Sequence, residues 1–79
     1  MRLIEKNIKM VKVILINSKP HSITVNMKSN YISDQRHYED IYYYQLPKSV
    51  QKFMNHHKIM CDEYYEDINN NLIQHITIK

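Results

Sequence analysis

Met10-Val11-Lys12-Val13-Ile14-Leu15-Ile16 is the stretch on which the fold turns, because every residue in it except Lys12 is apolar. The β-branched density from Ile8 to Ile16 predicts a strand. Val11, Val13 and Leu15 share one face of it, and Met10, Lys12, Ile14 and Ile16 the other. A strand apolar on both faces belongs at the centre of a sheet or beneath a covering layer on each side. Lys12 then either lies at a sheet margin in a basic patch or is a buried charge that needs an acidic partner.

Working outward, Asn17-Ser18-Lys19-Pro20 reads as a turn. Ser22 to Lys28 alternates, with Ile23, Val25 and Met27 inward and Ser22, Thr24, Asn26 and Lys28 outward, so the two segments predict a hairpin. Upstream, residues 1–7 fit a short helix or an extra strand. Ser29 to His37 is polar and reads as loop, and Tyr38 to Leu46 as a third strand, with Ile41 and Tyr43 on one face and Tyr42 and Tyr44 on the other. Pro47 stops that strand and suits the start of a helix. From Val50, the residues Phe53, Met54, His57, Cys61, Tyr64 and Ile68 recur at helical spacing. They predict a helix running to Asn69, or two helices with Asp62 capping the second. Leu72, Gln74, Ile76 and Ile78 alternate, which favours a final strand over a helical tail. The expected fold is α+β: one domain over residues 1–79, with a three- or four-stranded antiparallel sheet and a C-terminal helical layer on one face.

Composition narrows the function classes. A chain of 79 residues buries only around 60% of its unfolded surface, which leaves little room for a deep substrate cavity and argues against an enzyme. Gly, Ala and Trp are absent, whereas about five or six Gly are expected at average usage. The favoured Ile, Asn, Lys and Tyr have AT-rich codons, which points to a low-GC bacterium, its phages or plasmids, or an AT-rich virus. Without Gly, positive-φ turns fall to Asn or Asp, with Asn17, Asn30 and Asn69-Asn70-Asn71 as candidates, and no Gly-rich phosphate loop is possible. The single Cys61 forbids an internal disulfide, and there is no run long enough to span a bilayer and no secretion signal. A cytoplasmic protein with no membrane contact is expected.

Charge is segregated along the chain. Residues 1–30 carry six cations against one carboxylate, a balance of +5, while residues 59–79 carry one cation against four carboxylates, a balance of −3. A basic and an acidic face follow, fit for a charged partner or for self-association, as monomer or homodimer.

Catalytic and metal constellations are thin. His56, His57 and Cys61, with a distant His75, do not supply the second ligand pair of a zinc site. Cys61 is followed by Asp62 and Glu63, which raise a thiol's pKa and oppose nucleophilic use. No catalytic residue, metal or cofactor is assigned. Two binding surfaces remain. Lys6, Lys9, Lys12, Lys19 and Lys28 can line phosphates, with the seven tyrosines stacking on bases. The order of elements also resembles a double-stranded-RNA-binding domain, although Pro47-Lys48-Ser49-Val50-Gln51-Lys52 lacks that family's basic cluster at the last helix. The second surface is acidic. On a helix, Asp62 with Glu66 and Glu63 with Asp67 are i,i+4 pairs, with Tyr64 and Tyr65 between them. Four such carboxylates can imitate phosphates and occupy a basic groove, and tyrosine adds rigid contact area.

Three segments, Ser49-Val50-Gln51-Lys52-Phe53-Met54, Asp62-Glu63-Tyr64-Tyr65-Glu66-Asp67 and Ile76-Thr77-Ile78-Lys79, resemble the small phage-encoded anti-CRISPR inhibitors of Cas9. The likeness covers the last thirty or so residues by sequence and the first part by order of elements. It implies a non-enzymatic DNA mimic that antagonises host defence by binding a host protein or ribonucleoprotein complex such as Cas9. Asp62, Glu63, Glu66 and Asp67 would serve as phosphate substitutes. Tyr64, Tyr65 and, on the third strand, Tyr42 and Tyr44 are expected beside them as partner contacts. The alternative expectation is a small basic module that binds nucleic acid directly.

Overall fold

β1 (Ile8–Ile16) lies at the centre of a five-stranded sheet of order β3-β2-β1-β5-β4, in which every neighbouring pair is antiparallel. The computed structural model describes residues 3–28 and 35–79. Before β1 comes a 3-10 turn, Glu5–Asn7, so residues 3–7 form neither a regular α-helix nor a strand, and residues 1 and 2 of the expected segment lie outside the described residues. β2 (Lys19–Met27) returns beside β1 through a two-residue turn in which Asn17 and Ser18 have φ of 51° and 66°. Two positive φ values match the twist of a hairpin. Asn17 was the expected bearer of one; Ser18 takes the other because no Gly is present. Asn70 fills the same role in the β4–β5 connection, at φ 63°. Asn30 lies outside the described residues, as does the 29–34 part of the expected loop.

The helix and sheet predictions need correction. Five strands form instead of three or four, and the C-terminal helical layer shrinks to one helix, α1 (Lys48–His56). The third strand is not Tyr38–Leu46. β3 is Gln35–Glu39, so it uses the end of the supposed loop and stops where Asp40 turns to φ 49°. Tyr43–Gln45 is a 3-10 turn held by the Tyr42 N–H donating to Gln45 Oε1 at 2.9 Å. The long helical stripe also ends early. His57 is already extended, at φ −119°, and Ile59–Glu66 is β4. A helix there would stack carboxylates at i,i+4, while Ile59, Tyr64 and Tyr65 favour the pleated surface and β5 (Leu72–Ile78) offers a complete ladder.

The core lies between one sheet face and α1. Val11, Val13, Ile23, Val25, Met27 and Ile78 meet Leu46, Val50 and Phe53, all buried. Full burial of side chains of this size contributes about 1.5–3 kcal/mol each. α1 is anchored at its start by Gln51, whose Nε2 donates to Leu46 O at 2.8 Å, and at its end by His56, whose Nδ1 lies 2.6 Å from Glu5 Oε2. The opposite sheet face is not covered by α1. Neither expectation for Lys12 holds: it sits on the central strand between Thr24 and Thr77, not at a margin, and it is exposed, so its charge stays in water. Among the described residues no helix is long and apolar enough to cross a membrane.

Candidate functional site

The acidic segment is an edge strand. Pairing to β5 fixes its geometry: Asp62 faces Ile76, Tyr64 faces Gln74 and Glu66 faces Leu72 on the α1 side of the sheet, while Glu63 faces His75 and Tyr65 faces Ile73 on the other. The expected helical i,i+4 couples, Asp62 with Glu66 and Glu63 with Asp67, therefore do not form. An extended chain points successive side chains to opposite faces. Asp62 and Glu66 remain on one side with Tyr64 between them, and Glu63 is separated from both.

Both faces of β4 are open, with Tyr64 60% and Tyr65 52% exposed. The tyrosines are positioned by β5. Gln74 Nε2 donates to Tyr64 Oη at 2.9 Å and to Asp62 Oδ1 at 2.8 Å. Tyr65 stacks on His75, with ring centroids 5.6 Å apart and Oη 3.2 Å from Nε2. These contacts hold the rings without hiding them.

Asp67 does different work. Its Oδ1 accepts from the Asn69 and Asn71 N–H groups at 2.8 and 3.0 Å, and its Oδ2 from Asn71 Nδ2 at 3.2 Å. The Asn71 backbone and side-chain bonds, then that of Asn69, pull its carboxyl below the usual carboxylate range. Asp67 thus organises the β4–β5 turn. Cys61 Sγ donates to Glu63 Oε1 at 3.2 Å, and this bond, then desolvation and the charges of Glu63 and Asp62, push the thiol up as the sequence predicts.

Tyr42 and Tyr44 are not on a strand. They stack at 6.0 Å in the connection after β3, the edge opposite to β4, and Gln51 of α1 bonds Tyr44 O. The structure does not bring them to the acidic strand. The histidines also scatter: His56 is on Glu5, His57 stacks on Phe53 at 3.9 Å, and His75 is on Tyr65.

The basic set is regrouped. Lys6 precedes β1, Lys9 sits in the bulge between Ile8 and Met10, and Lys28 follows β2, with its N–H on Asn7 O. Ile78 pairs with both Val11 and Ile59, which brings Lys58 and Lys79 to the same end, joined by the Lys79 N–H on Lys58 O. Five exposed lysines from five separate segments thus share one end of the sheet. Lys58 and Lys79 were missed because only strand register brings them there. Lys19 lies at the opposite end of the sheet, the end that also holds Glu39, Asp40, Glu66 and Asp67 on other strands, and Lys12 is midway. The charge pattern therefore gives a lysine end, with Glu66 and Asp67 at the other end and Asp62 and Glu63 midway along β4. The chain matches no family model, no curated protein and no solved structure.

Proposed function

We propose that this chain is a non-enzymatic binding protein of a phage or mobile element that obstructs a host nucleic-acid-handling complex in the host cytosol, with a CRISPR effector such as Cas9 as the partner. The observation that carries this reading is the exposure of Asp62, Glu63, Tyr64, Tyr65 and Glu66 along one edge strand. Carboxylates flanking two rigid aromatic rings suit a groove built to hold phosphates. Arginine from such a groove pairs with carboxylate and stacks on tyrosine. The resemblance of Asp62–Asp67 to the phage-encoded inhibitors supports the same biological class. The block is steric and electrostatic, and it needs no acidic helix. The test is retention of the protein on immobilised Cas9–guide RNA, and loss of target-DNA binding in its presence. Asp62→Lys, Glu63→Lys and Glu66→Lys together are expected to abolish both, with Asp67 left intact because it holds the turn. Undiminished retention of that variant overturns the reading.

A second reading draws on the lysine end. Lys6, Lys9, Lys28, Lys58 and Lys79 form a cationic terminus suited to a phosphate backbone. It is tested by gel shift at low salt, where the absence of any complex removes it.

A further inference from the structure

We infer that β4 accepts an extended, basic segment of a partner protein as a sixth strand of the sheet. This rests on the reading of β4 as the contact surface and specifies how that contact is made.

The ladder defines the free edge. At the hairpin, the Asp67 N–H donates to Asn71 O. Antiparallel ladders alternate, so Tyr65, Glu63 and Cys61 turn their backbone groups toward β5. The N–H and C=O of Asp62, Tyr64 and Glu66 therefore point away from the sheet. The strand is eight residues long and has no Pro, and its bulge lies at the far end, between Ile59 and Cys61. Natural sheets blunt edges of this length, and the device used here is charge.

That charge discriminates between occupants. Added antiparallel strands set outward-facing residues opposite outward-facing residues. The bulge confines the regular ladder to Cys61–Glu66, so two copies of β4 pairing about a two-fold axis centre on 62, 63, 64 or 65. Those registers oppose Asp62 with Asp62, Glu63 with Glu63, Asp62 with Glu66, and Glu63 with Asp67. Each places like charges directly across, which destabilises the pairing. A segment with Lys or Arg opposite Asp62 and Glu66 turns the repulsion at those two positions into attraction, and one with Thr or Val opposite Glu63 removes the repulsion there. An apolar or guanidinium side chain then sits over Tyr64, and backbone bonds supply the affinity in the manner of strand addition.

The test uses a nine-residue peptide alternating Lys or Arg with Thr or Val, titrated into the isotope-labelled protein. Two controls accompany it: the same alternation built on Glu, and a peptide of the basic composition with two central prolines. Amide exchange at Asp62, Tyr64 and Glu66 is expected to slow on adding the basic peptide. The proline peptide, equal in charge but unable to form the ladder, is expected to bind about tenfold more weakly or worse, and the Glu peptide not at all. Tyr64→Pro removes an N–H that the fold itself does not use, and is expected to weaken the basic peptide by a similar factor. Should that variant misfold, the exchange pattern of the unmodified protein decides the matter. Equal binding by the proline peptide, unprotected amides at the three positions, or protection of those amides by self-association without peptide each overturns the inference. If the peptide fails while Cas9–guide RNA still retains the protein through Asp62, Glu63 and Glu66, strand addition falls and the contact reading stands.

Discussion

Phe53→Ala and Ile68→Ala, measured side by side, separate the observed fold from the long helix that residue spacing predicts. On a continuous helix both side chains belong to one buried stripe, and both truncations are costly. In the structure Phe53 is 1% exposed, among Val11, Val50 and the rest of the core, with His57 stacked on it. Ile68 lies beyond β4 and is 97% exposed. Truncating a buried Phe costs about 3–5 kcal/mol, while an exposed side chain without special contacts stays within about 0.5 kcal/mol. A domain of this length has roughly 4–12 kcal/mol of stability in total. Phe53→Ala therefore removes about a quarter of it or more. At about 4–8 °C per kcal/mol, the midpoint falls by at least about 12 °C, or the chain does not fold. Ile68→Ala moves it by no more than a few degrees. Thermal and urea unfolding followed by circular dichroism measures both. A loss above about 2 kcal/mol in Ile68→Ala, or below about 1 kcal/mol in Phe53→Ala, refutes the placement of α1 and β4.

Other consequences follow from the turns, the titrating groups and the lysine end. Asn17→Ala removes the Oδ1 acceptor of the Leu72 N–H and leaves Ala at positive φ, and is expected to cost about 1–2 kcal/mol by urea denaturation. Asp67 has a folded pKa below its unfolded value, so its contribution is present above the unfolded pKa and is lost as pH falls through the folded one. Asp67→Asn should flatten the acid limb of the stability profile below about pH 4, and an unchanged limb contradicts the bonding assigned to Asp67. The raised thiol pKa of Cys61 predicts alkylation that accelerates only in alkaline solution, with Glu63→Gln shifting the inflection to lower pH. If the lysine end binds duplex DNA through five phosphates, log K falls with log salt at a slope near about −4.5, and each Lys→Gln there reduces the slope by about one.

β1, β2 and β5 were readable from sequence because each buries one face or more, and burial writes apolar residues at a period of two. Ile23, Val25 and Met27 show it plainly, and all three lie in the core. β4 was not readable because neither of its faces is buried. Cys61 and Tyr64 continue the helical spacing of Val50, Phe53 and His57 by coincidence, and only the competing ladder from β5 decides the conformation. β3 was misplaced because its five residues are nearly all polar, while the aromatic run after Asp40 looks more strand-like than it is. Helical spacing put Tyr64 in a buried stripe and Asp62 to Asp67 on a helix, whereas the strand leaves Tyr64 and Tyr65 exposed and ties Asp67 to the turn. The lysine end depends on register between distant segments, which no local pattern encodes.

Cross-strand proton contacts at β4 test the central claim most directly. Asp62–Ile76 and Tyr64–Gln74 are the close, non-hydrogen-bonded pairs of the ladder, with Cα atoms expected about 4.5 Å apart. Strong Hα–Hα contacts between those two pairs in a nuclear Overhauser spectrum are the predicted result. Sequential amide–amide contacts from Ile59 to Glu66, joined by Hα to amide contacts three residues on, would mark a helix and contradict the account.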